Sequence, residues 1–153
     1  MMSRTQIYTA AALLFLIAFL AQVKLGGLGI GLEHAMLVML IALAFVLDVF
    51  ALTFGAVLAA WLLNWQPALG PELAVLVLIP FAVCFLREGF PGSFLVGYGL
   101  AVALGVGLLY VVADLHFITG SPYALLREVG LGLAWAAVAL VAVRMLPGSG
   151  GAV

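Results

Sequence analysis

Charge is what this sequence has least of. Five Lys+Arg and six Asp+Glu make up 7% of 153 residues, where an ordinary soluble domain carries about 25%. So few charges cannot cover a water-facing surface, and a soluble globular domain is excluded. The signs nearly cancel, to a net charge of −1, and no basic patch exists, so nucleic-acid binding is excluded too. A single cysteine, Cys84, rules out a disulfide framework. The two histidines, His34 and His116, form no HxxxH pair, and there is no CxxC, HExxH, GxSxG or P-loop. The glycines at 26, 27, 29 and 31 never match GxGxxG and follow a hydrophobic segment rather than a strand, so they read as a loop. Cys84, set in an apolar run, reads as a small buried hydrophobe. No enzymatic activity, cofactor or metal is expected.

What is abundant is apolar sequence: 68% of the residues, with a mean hydropathy of +1.41. Barrel strands alternate apolar and polar positions, whereas the runs here are continuous, as in Leu95–Ala113 and Tyr123–Val143. The expected fold is therefore all-α, a polytopic integral membrane protein in which each crossing needs roughly 20 apolar residues. The first run is Ile7–Val23. Arg4 and the small residues at Ala18–Ala21 would also suit a signal peptide, but the run is taken as a retained span. Ala35–Leu63 is broken only by Asp48 and Thr53. As one helix it would be roughly 43 Å long, so it is expected to turn near Asp48 into two short helices, 31–47 and 50–64. A fourth segment, 72–86, contains Pro80 and should kink there. The fifth covers 93–113. Ser121 as cap and Pro122 in the first turn open the sixth, which ends at Arg144. Residues 1–146 form one transmembrane domain, and 147–153 a flexible tail.

With six spans and a cytoplasmic N-terminus, Arg4, Arg87 and Arg144 lie inside while Lys24 and Arg127 lie outside. Five spans would leave only Arg4 and Arg127 inside, so the positive-inside rule favours six, with both termini cytoplasmic. Segment five carries small residues at four-residue spacing in two rows: Ser93, Gly97, Ala101, Gly105, and Gly99, Ala103, Gly107. Such rows let helix backbones approach closely, either inside the bundle or against a partner's helix. Similar rows occur at Ala51, Gly55, Ala59 in segment three, and at Gly130, Ala134 and Gly132, Ala136 in segment six. Ionisable residues near a membrane are candidates for function. An Asp114–Arg127 ion pair is expected across the last hairpin, with His116 and Glu128 nearer water or a partner. Arg87-Glu88 reads as a solvated loop, and Asp48 as a carboxylate at the membrane interface.

The run Phe15-Leu16-Ile17-Ala18-Phe19-Leu20-Ala21-Gln22 resembles the first span of the rod shape-determining protein MreD family, in which an aliphatic run ends in Gln. The likeness continues through two closely spaced helices with a glycine at Gly55 and a polar break at Asn64–Gly70. It extends to a last hairpin with an acidic residue at Asp114 and a basic end at Arg144. Asn64 stands where the family usually has Asp, and Glu33-His34 where it often has a proline-containing entry to the second helix. The resemblance implies a non-catalytic scaffold subunit of the bacterial elongation machinery in the inner membrane. Its partner would be the single-span MreC, and it would help couple MreB filaments to the RodA glycosyltransferase and its transpeptidase partner in peptidoglycan synthesis. The same family is similar in fold to the substrate-binding subunits of energy-coupling-factor transporters. That leaves a small-molecule-binding membrane subunit as the alternative, for which Thr53, Asn64, Tyr98, Tyr110 and Asp114 are the available polar groups.

Overall fold

The computed structural model describes residues 4–26, 34–63, 71–87, 89, 94–113 and 121–144. Those residues hold six helices and no strand: α1 (Arg4–Gly26), α2 (Ala35–Ala44), α3 (Val49–Leu63), α4 (Pro71–Leu86), α5 (Phe94–Ala113) and α6 (Pro122–Arg144). α5 and α6 contain apolar stretches long enough to cross a membrane, Phe94–Val112 and Pro122–Ala142. The apolar parts of the other four are shorter.

The break at Asp48 has a local cause. Val46 N–H donates to the Leu43 carbonyl at 3.0 Å and Phe45 N–H to that of Ala42 at 3.4 Å, so the last turn of α2 tightens before the chain leaves it. Asp48 then opens α3 as its N-cap, with Oδ1 accepting the Ala51 N–H at 2.9 Å. The turn lies where the sequence placed it, but α2 spans only 35–44 instead of 31–47. α4 runs unbroken as a helix from Pro71 to Leu86, with Pro80 buried inside it.

α2 is the centre of the molecule. Its sequence, AMLVMLIALA, has no polar face, and every residue is buried. A helix apolar all round belongs inside, and α2 touches each of the other five. Ten residues make it about 15 Å long, about half of a bilayer's hydrocarbon thickness.

Glycines admit the neighbours. A Cβ at Gly105 of α5 would meet Ile41 Cδ1 of α2 at 3.0 Å and Ile79 Cγ2 of α4 at 3.2 Å. One at Gly132 of α6 would meet Val106 Cγ2 at 3.0 Å and His34 Nε2 at 3.2 Å. α5 and α6 are further joined by the buried Tyr98 hydroxyl, which donates to the Ala136 carbonyl at 3.0 Å. Phe45, Phe94 and Tyr98 pack as a trio, with Phe94 and Tyr98 stacked at 6.0 Å.

Side-chain contacts sort the helix termini into two ends. At one, Tyr8 of α1 meets Asp48, Arg87 beyond α4 meets the C-terminus of α2, and Phe94 of α5 meets Phe45. At the other, Gln22 of α1 meets the start of α2, and Tyr110 of α5 meets Glu128 of α6. The exterior between them is apolar: Leu13, Ile17 and Leu20 on α1, Phe50, Phe54 and Trp61 on α3, and Leu100 and Leu104 on α5 are all exposed.

Candidate functional site

The two small-residue rows of α5 have different fates. Gly97, Ala101 and Gly105 are buried and form the face that packs on α2 and α4, as the Gly105 contacts require. Gly99, Ala103 and Gly107 are only half-buried. A Cβ at Gly99 or Gly107 would meet nothing within 4 Å. Ser93, the first residue of the inner row, lies outside the described residues. α6 divides in the same way, with Gly132 and Ala136 buried, Gly130 and Ala134 exposed. In α3, Ala59 is buried while Ala51 and Gly55 are half-buried.

A short buried helix leaves backbone groups at both termini that it cannot satisfy itself. At the C-terminus of α2, Arg87 Nη1 donates to the carbonyls of Ala44 at 3.2 Å and Leu47 at 3.3 Å. Arg87 is thus a half-buried brace, where the sequence suggested a solvated loop residue. A cation also suits the negative end of the helix dipole. One residue beyond Leu47, the exposed Asp48 carboxylate accepts from the Tyr8 hydroxyl through Oδ2 at 3.2 Å, while Oδ1 caps α3.

The N-terminus of α2 is closed by neutral or paired groups. Gln22 Oε1 accepts the Met36 N–H at 2.9 Å, and Trp135 Nε1 donates to the Ala35 carbonyl at 3.3 Å. His34, at the N-cap, is 1% exposed, and neither ring nitrogen has a hydrogen-bond partner among the described residues. Its ring lies edge-on to Tyr110 with centroids 6.3 Å apart and occupies the space that Gly132 leaves open. Glu128 is 3% exposed. It accepts from the Tyr110 hydroxyl at 3.2 Å and from Arg127 Nη2 at 2.7 Å. Glu128, expected nearer water or a partner, is buried within the chain itself.

Arg127 is mostly exposed and its ion-pair partner is Glu128. Asp114, the expected partner, lies outside the described residues, as do His116, Glu88 and Asn64. Of the remaining polar groups considered for a ligand pocket, Thr53 donates to the carbonyl of Val49 in its own helix at 2.7 Å, and Tyr98 is committed to Ala136. Tyr110 alone joins the His34–Glu128 cluster. The sequence did not single out Gln22 or His34 as site residues, because Gln22 bonds a residue of another helix and His34 only packs against one, Tyr110. Cys84, the one cysteine of the sequence, is buried. Among the described residues, no group of three His, Cys, Asp or Glu side chains is placed to hold a metal ion.

Comparison of the chain with family models, with curated proteins and with solved structures finds no match. The functional reading therefore stands on the residues themselves.

Proposed function

We propose that this chain is a non-catalytic membrane subunit that receives the transmembrane helix of a single-span partner, in the manner of the MreD family it resembles. On this reading all six helices form a multi-pass bundle in a bacterial cytoplasmic membrane, with both termini inside. The partner is an MreC-like periplasmic scaffold. Together they tie MreB filaments to a RodA-type glycosyltransferase and its transpeptidase during cell-wall elongation.

The observation that carries the reading is the division of α5. Its inner small-residue row is consumed by the bundle's own packing, and its outer row, Gly99–Ala103–Gly107, is left without a neighbour at its glycines. Exposed Leu100 and Leu104 stand beside that row, so the face offers both a shallow channel and apolar ridges. Where lipid tails are as apolar as leucine, helices associate through such close backbone approach. The helix termini fit the proposed orientation. Arg87 and the start of α1, which carries Arg4, fall at one end of the molecule, the end assigned to the cytoplasm.

Purification of the tagged chain in mild detergent tests this. A stoichiometric single-span protein with a periplasmic coiled coil is expected to accompany it, and to be lost in Gly99→Leu and Gly107→Leu while the chain stays folded. A second reading, a small-molecule-binding subunit of an energy-coupling-factor-type transporter, is favoured by one observation, the unpartnered nitrogens of buried His34 beside Glu128. Recovery of an ATPase-containing complex, or of a tightly held small ligand, would select it and overturn the first.

A further inference from the structure

A groove of about 250 Å³ opens between α1 and α3 over the C-terminal end of α2, walled by Tyr8, Phe15, Leu47, Phe50, Phe54 and Leu58. We propose that it holds a segment of one acyl chain of a membrane lipid whose primary-amine headgroup is bound by Asp48. The proposal goes beyond the scaffold reading but rests on its membrane residence.

Four observations carry it. The walls are apolar side chains and small residues, among them Ala12, Ala51 and Gly55, so the groove has no means of orienting a polar ligand within it. Its volume suits roughly eight groups of water or methylene size, at about 30 Å³ each, which is a chain segment and far less than a protein helix. Phe50 and Phe54 on its wall are 86% and 72% exposed, leaving a long apolar entrance from the side.

Charge marks one end. Asp48 follows Leu47 and precedes Phe50, and it is bonded to Tyr8, so three groove-lining residues surround it. Its carboxylate accepts one hydrogen bond at each oxygen and has about four acceptor sites in all. Two remain for an ammonium group, which can donate three hydrogen bonds. A quaternary ammonium head donates none. The two heads carry the same charges, so the site discriminates between them by hydrogen bonding.

The test reconstitutes the full chain in nanodiscs of equimolar phosphatidylethanolamine and phosphatidylcholine, then counts retained lipids by native mass spectrometry after detergent release. One phosphatidylethanolamine per chain is expected, preferred over phosphatidylcholine by about fivefold, the scale of one net hydrogen bond. Ala12→Phe, an exposed position on the groove wall, should abolish retention, whereas Ala137→Phe, exposed on α6, should not. Asp48→Asn keeps the helix cap, since Asn and Asp cap equally well. It should retain a lipid but lose the amine preference. Equal retention by wild type and Ala12→Phe, or no headgroup preference in the wild type, overturns the proposal. So does crosslinking of a partner protein in place of lipid at Ala12→Cys. Carbonate-resistant association with the membranes from which the chain is purified is read in parallel. Its loss defeats membrane residence itself, while its persistence without a retained lipid defeats only the lipid site.

Discussion

Both ends of α2 present backbone groups that the helix cannot satisfy, yet the side chains that reach them differ in chemistry and in surroundings. The C-terminal end is held by a full charge, Arg87, with the exposed Asp48 one residue past Leu47. At the N-terminal end the orphan Met36 N–H is met by a neutral amide, Gln22, the Trp135 indole adds a bond to the Ala35 carbonyl, and His34 and Glu128 are both buried. The wet end tolerates an ionised group because water shares its solvation. At the dry end an uncompensated charge would be costly, and Glu128 is accordingly matched by Arg127 and Tyr110.

Substitutions can break or sharpen this contrast. The largest effect is expected at Arg87→Leu, which keeps bulk but strands two carbonyls that share one cation. Unfolding in detergent micelles should be easier by about 2–4 kcal/mol, with faster amide exchange around Ala44. His34→Phe should move stability the other way, by about 1–2 kcal/mol, because it removes two buried unpartnered nitrogens while filling the same space. A destabilised His34→Phe would mean that those nitrogens do have partners in the working protein. Gln22→Leu removes a neutral cap and should cost about 1 kcal/mol, read as faster exchange at Met36. Tyr8→Phe at the wet end should cost the least, about 0.5 kcal/mol, since water can replace the hydroxyl at Asp48. If Gln22→Leu proves worse than Arg87→Leu, the two ends do not differ in the way described.

The helices themselves were legible because apolar runs and their punctuation are local signals. Asp48 announced the α2–α3 turn, and Pro122 opens α6 as its position after Ser121 suggested. The small-residue rows of α5 were visible as a pattern, but which row faced inward was not. Gly97 and Gly99 look alike in sequence, and only the packing of α2 and α4 separates them. The braces were hidden for a different reason. Arg87 sits beside a glutamate and a glycine, the ordinary composition of a solvated loop, and its acceptors lie about forty positions earlier in the chain. Glu128, expected nearer water or a partner, faces Tyr110 inside the protein while the adjacent Arg127 is exposed. Spacing along the chain does not report that one member of a neighbouring pair points inward.

One contact sets an order on the making of this protein. Trp135 binds the carbonyl of Ala35 from a position separated by 100 residues, and α6 shields one whole side of α2. A ribosome that has released only the first five helices has therefore produced a chain whose central helix still lacks one of its five neighbours. α2 is also too short to hold itself across a bilayer. Until the last helix arrives, the side of α2 that α6 packs on stays open, and truncation just before Pro122 should leave a chain that the cell's quality control removes.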